Sequence, residues 1–200
     1  MPDHPSNVPT AVPKTPRHQW RVHPHWGSQV LLVESHESFR RISRHLIGCA
    51  EDREDVASIR ALFVRWTGAM RSHEAYEEHK LYPFLARRWR VSCSDAQAGH
   101  VRLHECGDRV LSSMVAVAND AAAEARWAEL TEALRAHDQT LHAHLELEEE
   151  LVVPLLLELR PREFQILTML PIEQLLERIE RRGAIDAPAT TSRSSGPTSR

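Results

Sequence analysis

Long apolar runs are missing from this chain: no stretch approaches the ~20 residues that a bilayer-spanning helix needs, so no membrane-embedded segment is expected. Cysteine is scarce. Cys49, Cys93 and Cys106 are odd in number, widely spaced and without a CxxC pair, which excludes the disulfide framework of a small secreted domain and suits a reducing compartment. The opening residues, MPDHPSNVPTAVPKTP, lack a basic start followed by an apolar run, so they do not read as a signal peptide, and the expected location is the cytoplasm. An excess of one charge is also lacking: the formal net charge is −3, and no nucleic-acid surface is implied. There is no GxSxG, no glycine-rich phosphate loop and no supported Cys–His pair, so nucleophilic and nucleotide-dependent mechanisms find no footing.

What is abundant is histidine, with 13 residues. Two hundred residues suffice for one domain with a substantial core plus tails. Residues 1–17 carry five prolines and little that is apolar, and read as a disordered arm; 183–200, rich in Ser, Thr, Ala and Pro, read likewise as a disordered tail. Between them glycine is scarce and the apolar residues recur with helical period, which argues for helices and against a sheet. The periodicity predicts a first helix over about 28–49 with Leu32, His36, Phe39, Ser43 and Leu46 on one stripe. A second runs over about 54–89 with Leu62, Met70, His73, Glu77, Leu81 and Phe84 inward, and Pro83 is expected to kink it. A third, over about 94–118, carries His100, Leu103, His104, Leu111 and Val115. A fourth, over about 121–159, carries Leu134, His137, Leu141, His144, Glu148, Val152 and Leu155. Short connections favour antiparallel neighbours. The expectation is an all-α, up-down-up-down four-helix bundle over 18–160, with a helical extension over 161–182 broken near Pro171.

Each predicted core stripe is interrupted midway by a histidine, a carboxylate or both. Buried without partners, such groups would cost several kcal/mol each, and four interruptions at similar depth point to one shared partner, most simply a metal. An internal repeat sharpens this. His73 is followed by Glu77, Glu78 and Pro83; His144 is followed by Glu148, Glu149 and Pro154, at the same spacings and 71 residues later. A weaker echo pairs His36-Glu37 with His104-Glu105, 68 residues apart, so the chain reads as a duplicated helical hairpin. Residues i and i+4 share a helix face, about 5–6 Å apart at Cβ, so a His and a Glu so spaced reach one ion or two adjacent ions. With His36, His104 and His100 added, the donors are too many for one tetrahedral zinc site. They suit a pair of bridged ions about 3.5–4 Å apart. Mixed imidazole and carboxylate ligation with an open position favours iron, with manganese or zinc as alternatives.

The pattern His36, His73xxxGlu77, His100xxxHis104 and His144xxxGlu148 resembles the hemerythrin-like family of HHE cation-binding domains, over about residues 28–160. The resemblance implies metal ligation by His36, His73, Glu77, His100, His104, His144 and Glu148. It also implies two iron ions (Fe2+/Fe3+) joined by carboxylates and an oxo or hydroxo bridge. A small-molecule partner follows (oxygen, peroxide or nitric oxide), with no nucleic acid and no membrane; the oligomeric state stays open. The last motif departs from the oxygen-carrier pattern, in which an aspartate stands five residues after the histidine. Here Glu148 stands at i+4 and Glu149 at i+5, which favours redox or peroxide turnover over reversible carriage. Ferritin-like bundles place Glu-x-x-His on paired helices; here His precedes Glu and the histidines outnumber the carboxylates.

The remaining candidates carry blander expectations. His137 is expected to be a hydrogen-bonded histidine of the bundle, and His45, His79 and His142 surface residues. Glu78 and Glu149 are alternative bridging groups, acceptors that orient an imidazole, or exposed charge partners. Tyr76 and the tryptophans Trp66, Trp89 and Trp127 read as packing residues, and His23-Pro24-His25 as too short for a metal site. Three functions compete: a binding or sensing module, a catalase- or peroxidase-like enzyme, and a metal-free bundle held by a polar network.

Overall fold

The computed structural model describes residues 15–30 and 32–177, and among them every regular element is helical. A 3-10 helix, Arg17–Val22, and a short helix α1, Trp26–Gln29, precede the long elements α2 (Leu32–Glu51), α3 (Val56–Tyr76), α4 (Tyr82–Trp89), α5 (Ser94–Asn119) and α6 (Glu124–Leu157), followed by α7 (Pro161–Met169). Of the expected disordered arm only residues 15–17 are described, and Arg17 there opens the 3-10 helix. The expected tail over 183–200 lies outside the described residues, as does the end of the extension beyond 177.

Local chemistry sets the helix ends. Asp55 precedes α3 and its carboxylate accepts from the Ser58 backbone N–H at 2.9 Å, satisfying one of the donors that a helix start leaves open. Left-handed residues end two helical stretches, Arg53 (φ 53°) and Arg90 (φ 57°). The predicted second helix is interrupted: α3 and α4 are joined by a π-helical turn, Glu77–Leu81. Pro83 explains the disturbance, because its ring has no N–H to give and crowds the carbonyl one turn earlier, and a wider turn relieves the crowding. Pro154, its counterpart in the repeat, sits inside α6 without breaking it.

Helix α2 packs on α3 and α6, and α5 packs on α3 and α6, so four elements enclose one interior. That interior is layered. One apolar cluster gathers Leu46, Ile59, Phe63, Trp66, Met70, Leu103, Val110, Leu130 and Leu141. A second gathers Leu81, Tyr82, Phe84, Leu85, Ala96, Val152, Leu155 and Leu167. Each fully buried aliphatic or aromatic side chain contributes about 1.5–3 kcal/mol, so the two clusters hold the helices on either side of the histidine and glutamate level. The third predicted stripe is misphased. Val115 is 53 % exposed, while the buried face of α5 is Ala96, Gly99, His100, Leu103, Cys106, Gly107, Val110, Met114 and Val117.

Candidate metal centre

Between the two apolar layers, α2, α3 with its π turn, α5 and α6 each send histidine or glutamate inward. His36, His73, Glu77 and Glu148 place ligand atoms within 4.8 Å of one another. His36 Nε2 lies 3.1 Å from His73 Nε2 and 3.4 Å from Glu148 Oε2. His73 Nε2 lies 2.7 Å from Glu77 Oε1, and His100 Nε2 lies 3.4 Å from Glu77 Oε2. His144 Nε2 stands 3.8 Å from Glu148 Oε2, and its ring is edge-on to that of His100 at 4.6 Å between centroids. Six of the seven predicted site residues are therefore brought together.

His104 is not. Its side chain is 45 % exposed, and its Nε2 pairs with Glu74 Oε2 at 2.7 Å. One helical turn separates it from His100, but α5 is rotated so that Gly99, His100 and Leu103 face the interior. The expected HxxxH pair splits into one inward and one outward residue. The weak echo likewise lies one turn away from the structural match: the counterpart of His36 is His100.

That correspondence shows in the outer contacts. His36 Nδ1 pairs with Glu149 Oε1 at 3.0 Å, and His100 Nδ1 pairs with Glu78 Oε1 at 2.7 Å. Each imidazole thus gives Nδ1–H to the second glutamate of a repeat and turns Nε2 inward toward the first. A carboxylate on the far ring nitrogen fixes tautomer and orientation. Of the three readings open for Glu78 and Glu149, these contacts match acceptors that orient an imidazole.

Gly99 permits the fourth histidine. A Cβ there would collide with His144 Nδ1, so only glycine lets α5 approach that ring. Tyr82, which follows the π turn, donates its O–H to Glu148 Oε1 at 2.8 Å and stacks on His100 at 6.1 Å between centroids. No periodicity points to Tyr82, since its inward aim depends on the phase added by the π turn; Tyr76 is instead 40 % exposed. His45 and His79 lie at the surface and His142 is partly exposed. His137 is buried, with its ring against Trp66 and Phe63 but with Nδ1 lacking a hydrogen-bond partner among the described residues.

The electrostatics of the layer call for a cation. Burial disfavours charge on His36 and His100, yet the carboxylates of Glu148 and Glu149 lift His36 to about 9, and those of Glu77 and Glu78 lift His100 to about 9. Glu77 is opposed by burial but drawn down to about 2 by the imidazoles of His100 and His73. Burial holds His144 down at about 4 despite Glu148 beside it. Among the described residues, both oxygens of Glu77, Oε2 of Glu148 and Nε2 of His100 are buried without a hydrogen-bond partner. Buried polar atoms are normally satisfied, and orphaned carboxylate and imidazole atoms aimed at one another fit a metal ion, which displaces protons from such donors.

Helices carrying inward His and Glu donors at one level define a helical metal-binding domain. The family model described as the hemerythrin HHE cation-binding domain matches residues 29–156. The chain belongs to that family. No curated protein and no solved structure matches it. Among the described residues no helix is long and apolar enough to cross a membrane.

Proposed function

We propose that the chain is a non-haem di-iron protein of the cytoplasm that binds or turns over oxygen, peroxide or nitric oxide. It would be built as an antiparallel up-down-up-down four-helix bundle. The cross-helix contacts support that topology: α2 meets α6 from His36 with Glu149 to Glu51 with Arg135, rising along one helix while descending the other. Helix α3 with its π turn does the same against α5 through Glu74 with His104 and Glu78 with His100. The observation that carries the reading is the convergence of His36, His73, Glu77 and Glu148 within 4.8 Å in a layer sealed above and below by apolar side chains. His36, His73, Glu77, His100, His144 and Glu148 would hold the ions. A bound iron pair supplies Lewis acidity, redox capacity and an exchangeable position. Three free, buried cysteines agree with a reducing compartment.

Within that reading, peroxide turnover is favoured over simple carriage by Tyr82. Its hydroxyl donates a hydrogen bond to Glu148 Oε1 among the side chains of the second apolar cluster, a buried polar group at the edge of the donor layer. The experiment is metal analysis of protein made under iron-replete conditions, followed by addition of hydrogen peroxide. About two irons per chain and oxygen evolution (two peroxides giving two waters and one dioxygen) support the enzyme. A stable oxygen-dependent absorption band without turnover supports a carrier or sensor. Failure to retain iron, manganese or zinc would leave the metal-free polar network as the answer.

A further inference from the structure

The two glutamates that receive Nδ1–H are not held alike. The side chain of Glu78 is 36 % exposed where it meets His100. That of Glu149 is 2 % exposed and is gripped from three sides: Oε1 by His36 Nδ1 at 3.0 Å and by Arg40 at 2.8 Å, Oε2 by Arg17 at 2.9 Å. Arg17 precedes the matched region, 29–156. The segment that brings it is well anchored. Its guanidinium lies over the Trp20 ring, 5.2 Å from the centroid, and Trp20 is buried among Val30, Val153 and Leu157. Gln29 Nε2 donates to the Leu159 carbonyl at 3.1 Å, and His25 Nδ1 lies 3.0 Å from the Leu157 carbonyl.

We propose that Arg17, carried by this N-terminal strap, is a positioning residue for one half of the site: it fixes the plane of the Glu149 carboxylate and thereby the imidazole of His36. The terminal torsion of a glutamate is soft, so a carboxylate held at Oε1 alone can rotate. The bond from Arg17 to Oε2 removes that freedom and keeps Oε1 on Nδ1 while Nε2 faces inward. Exposed ion pairs contribute little, but here the acceptor is buried, and removing a partner leaves its charge uncompensated. Among the described residues no comparable cation holds Glu78 beside His100, so the two halves of the site differ in rigidity.

The consequence for metal rests on the di-iron reading; the geometric claim does not, and two measurements separate them. In metal-free protein, the Nδ1 proton of His36 is followed by nuclear magnetic resonance. Arg17→Ala is expected to make it exchange with solvent several-fold faster, with helix content unchanged and Arg17→Lys intermediate. In iron-loaded protein, release to a ferrous chelator is followed in time. Disturbing a group that orients a ligand costs about 10–100-fold in metal affinity, so Arg17→Ala is expected to speed one of two release phases about tenfold. Glu78→Gln should speed the other phase, and Arg53→Ala, which breaks the exposed pair with Glu124, neither. Unchanged exchange at His36 overturns the proposal, as does equal acceleration of both phases. A wild-type protein that takes up no iron sinks the di-iron reading while the His36 measurement still decides the positioning claim.

Discussion

The two copies of the repeat, His73 to Pro83 and His144 to Pro154, share a sequence pattern and differ in almost everything that surrounds it. The shared part is the core stripe. Ile59, Phe63, Met70, Glu77, Leu81, Phe84 and Leu85 are buried, and so are the residues 71 positions later, Leu130, Leu134, Leu141, Glu148, Val152, Leu155 and Leu156. The differences lie beside it. The first copy passes through a π turn before Pro83, whereas the second stays α-helical through Pro154. Glu78 faces solvent on one side, whereas Glu149 is enclosed by two arginines. Trp66 stands seven residues before His73 and His137 stands seven before His144, and the two rings pack on each other at 5.3 Å. A duplicated pattern fixes which donors converge; the neighbours decide how firmly each is held.

The largest expected effect tests whether both copies are needed. His73→Ala and His144→Ala should each remove most of the bound metal, while His142→Ala and His104→Ala, both partly exposed, should retain it. Elemental analysis of the four variants decides. A loss at His104 equal to that at His100→Ala would restore the HxxxH pair and overturn the phase of α5.

The second copy should also be the acid-labile one. Burial holds His137 at about 4, below its ordinary value of 6.5, so the unfolded chain takes up this proton first as pH falls. Stability from this residue is therefore whole above about 6.5 and is lost on descending toward 4, by on the order of 3 kcal/mol. Thermal melts of metal-free protein between these limits, with His137→Leu as the comparison, check it; an unchanged pH slope in the variant would sink the assignment.

Gly99→Ala comes next. The added Cβ meets His144 Nδ1, and overpacking of this kind costs about 1–3 kcal/mol; the corresponding Gly107→Ala, whose Cβ would meet only Phe63 at 3.9 Å, should be mild. Denaturant unfolding of the pair gives the comparison. The smallest effect concerns the prolines. Pro83→Ala frees the first copy to anneal its π turn and should shift Tyr82 away from Glu148, whereas Pro154→Ala has no irregular turn to relax. A change in the metal-site absorption of Pro83→Ala that Tyr82→Phe reproduces and Pro154→Ala lacks would be the sign of it.

Much of the site was legible because its spacing is local. A histidine and a glutamate four residues apart share a helix face whatever the helix packs against, and a repeat of 71 residues needs no structure to be seen. His36 was legible for the same reason, sitting mid-stripe between Leu32 and Leu46. His104 misled because it is one turn from His100, and a helix rotated by a fraction of a turn changes which of the two faces inward. The phase of α5 depends on Gly99, which allows close approach to the His144 ring, and no periodicity of α5 alone contains that information.

Helical class, the paired HxxxE motifs and the chemistry of the donors are written in local spacing, since helix formation and i,i+4 proximity act within a few residues. Tertiary packing alone decided the phase of α5, the inward turn of Tyr82, and the hold of Arg17 and Arg40 on Glu149. Arg17 and Glu149 stand 132 positions apart. Their contact depends on Trp20 docking against the end of α6, and a contact between distant segments leaves no period in the chain for a reader to find.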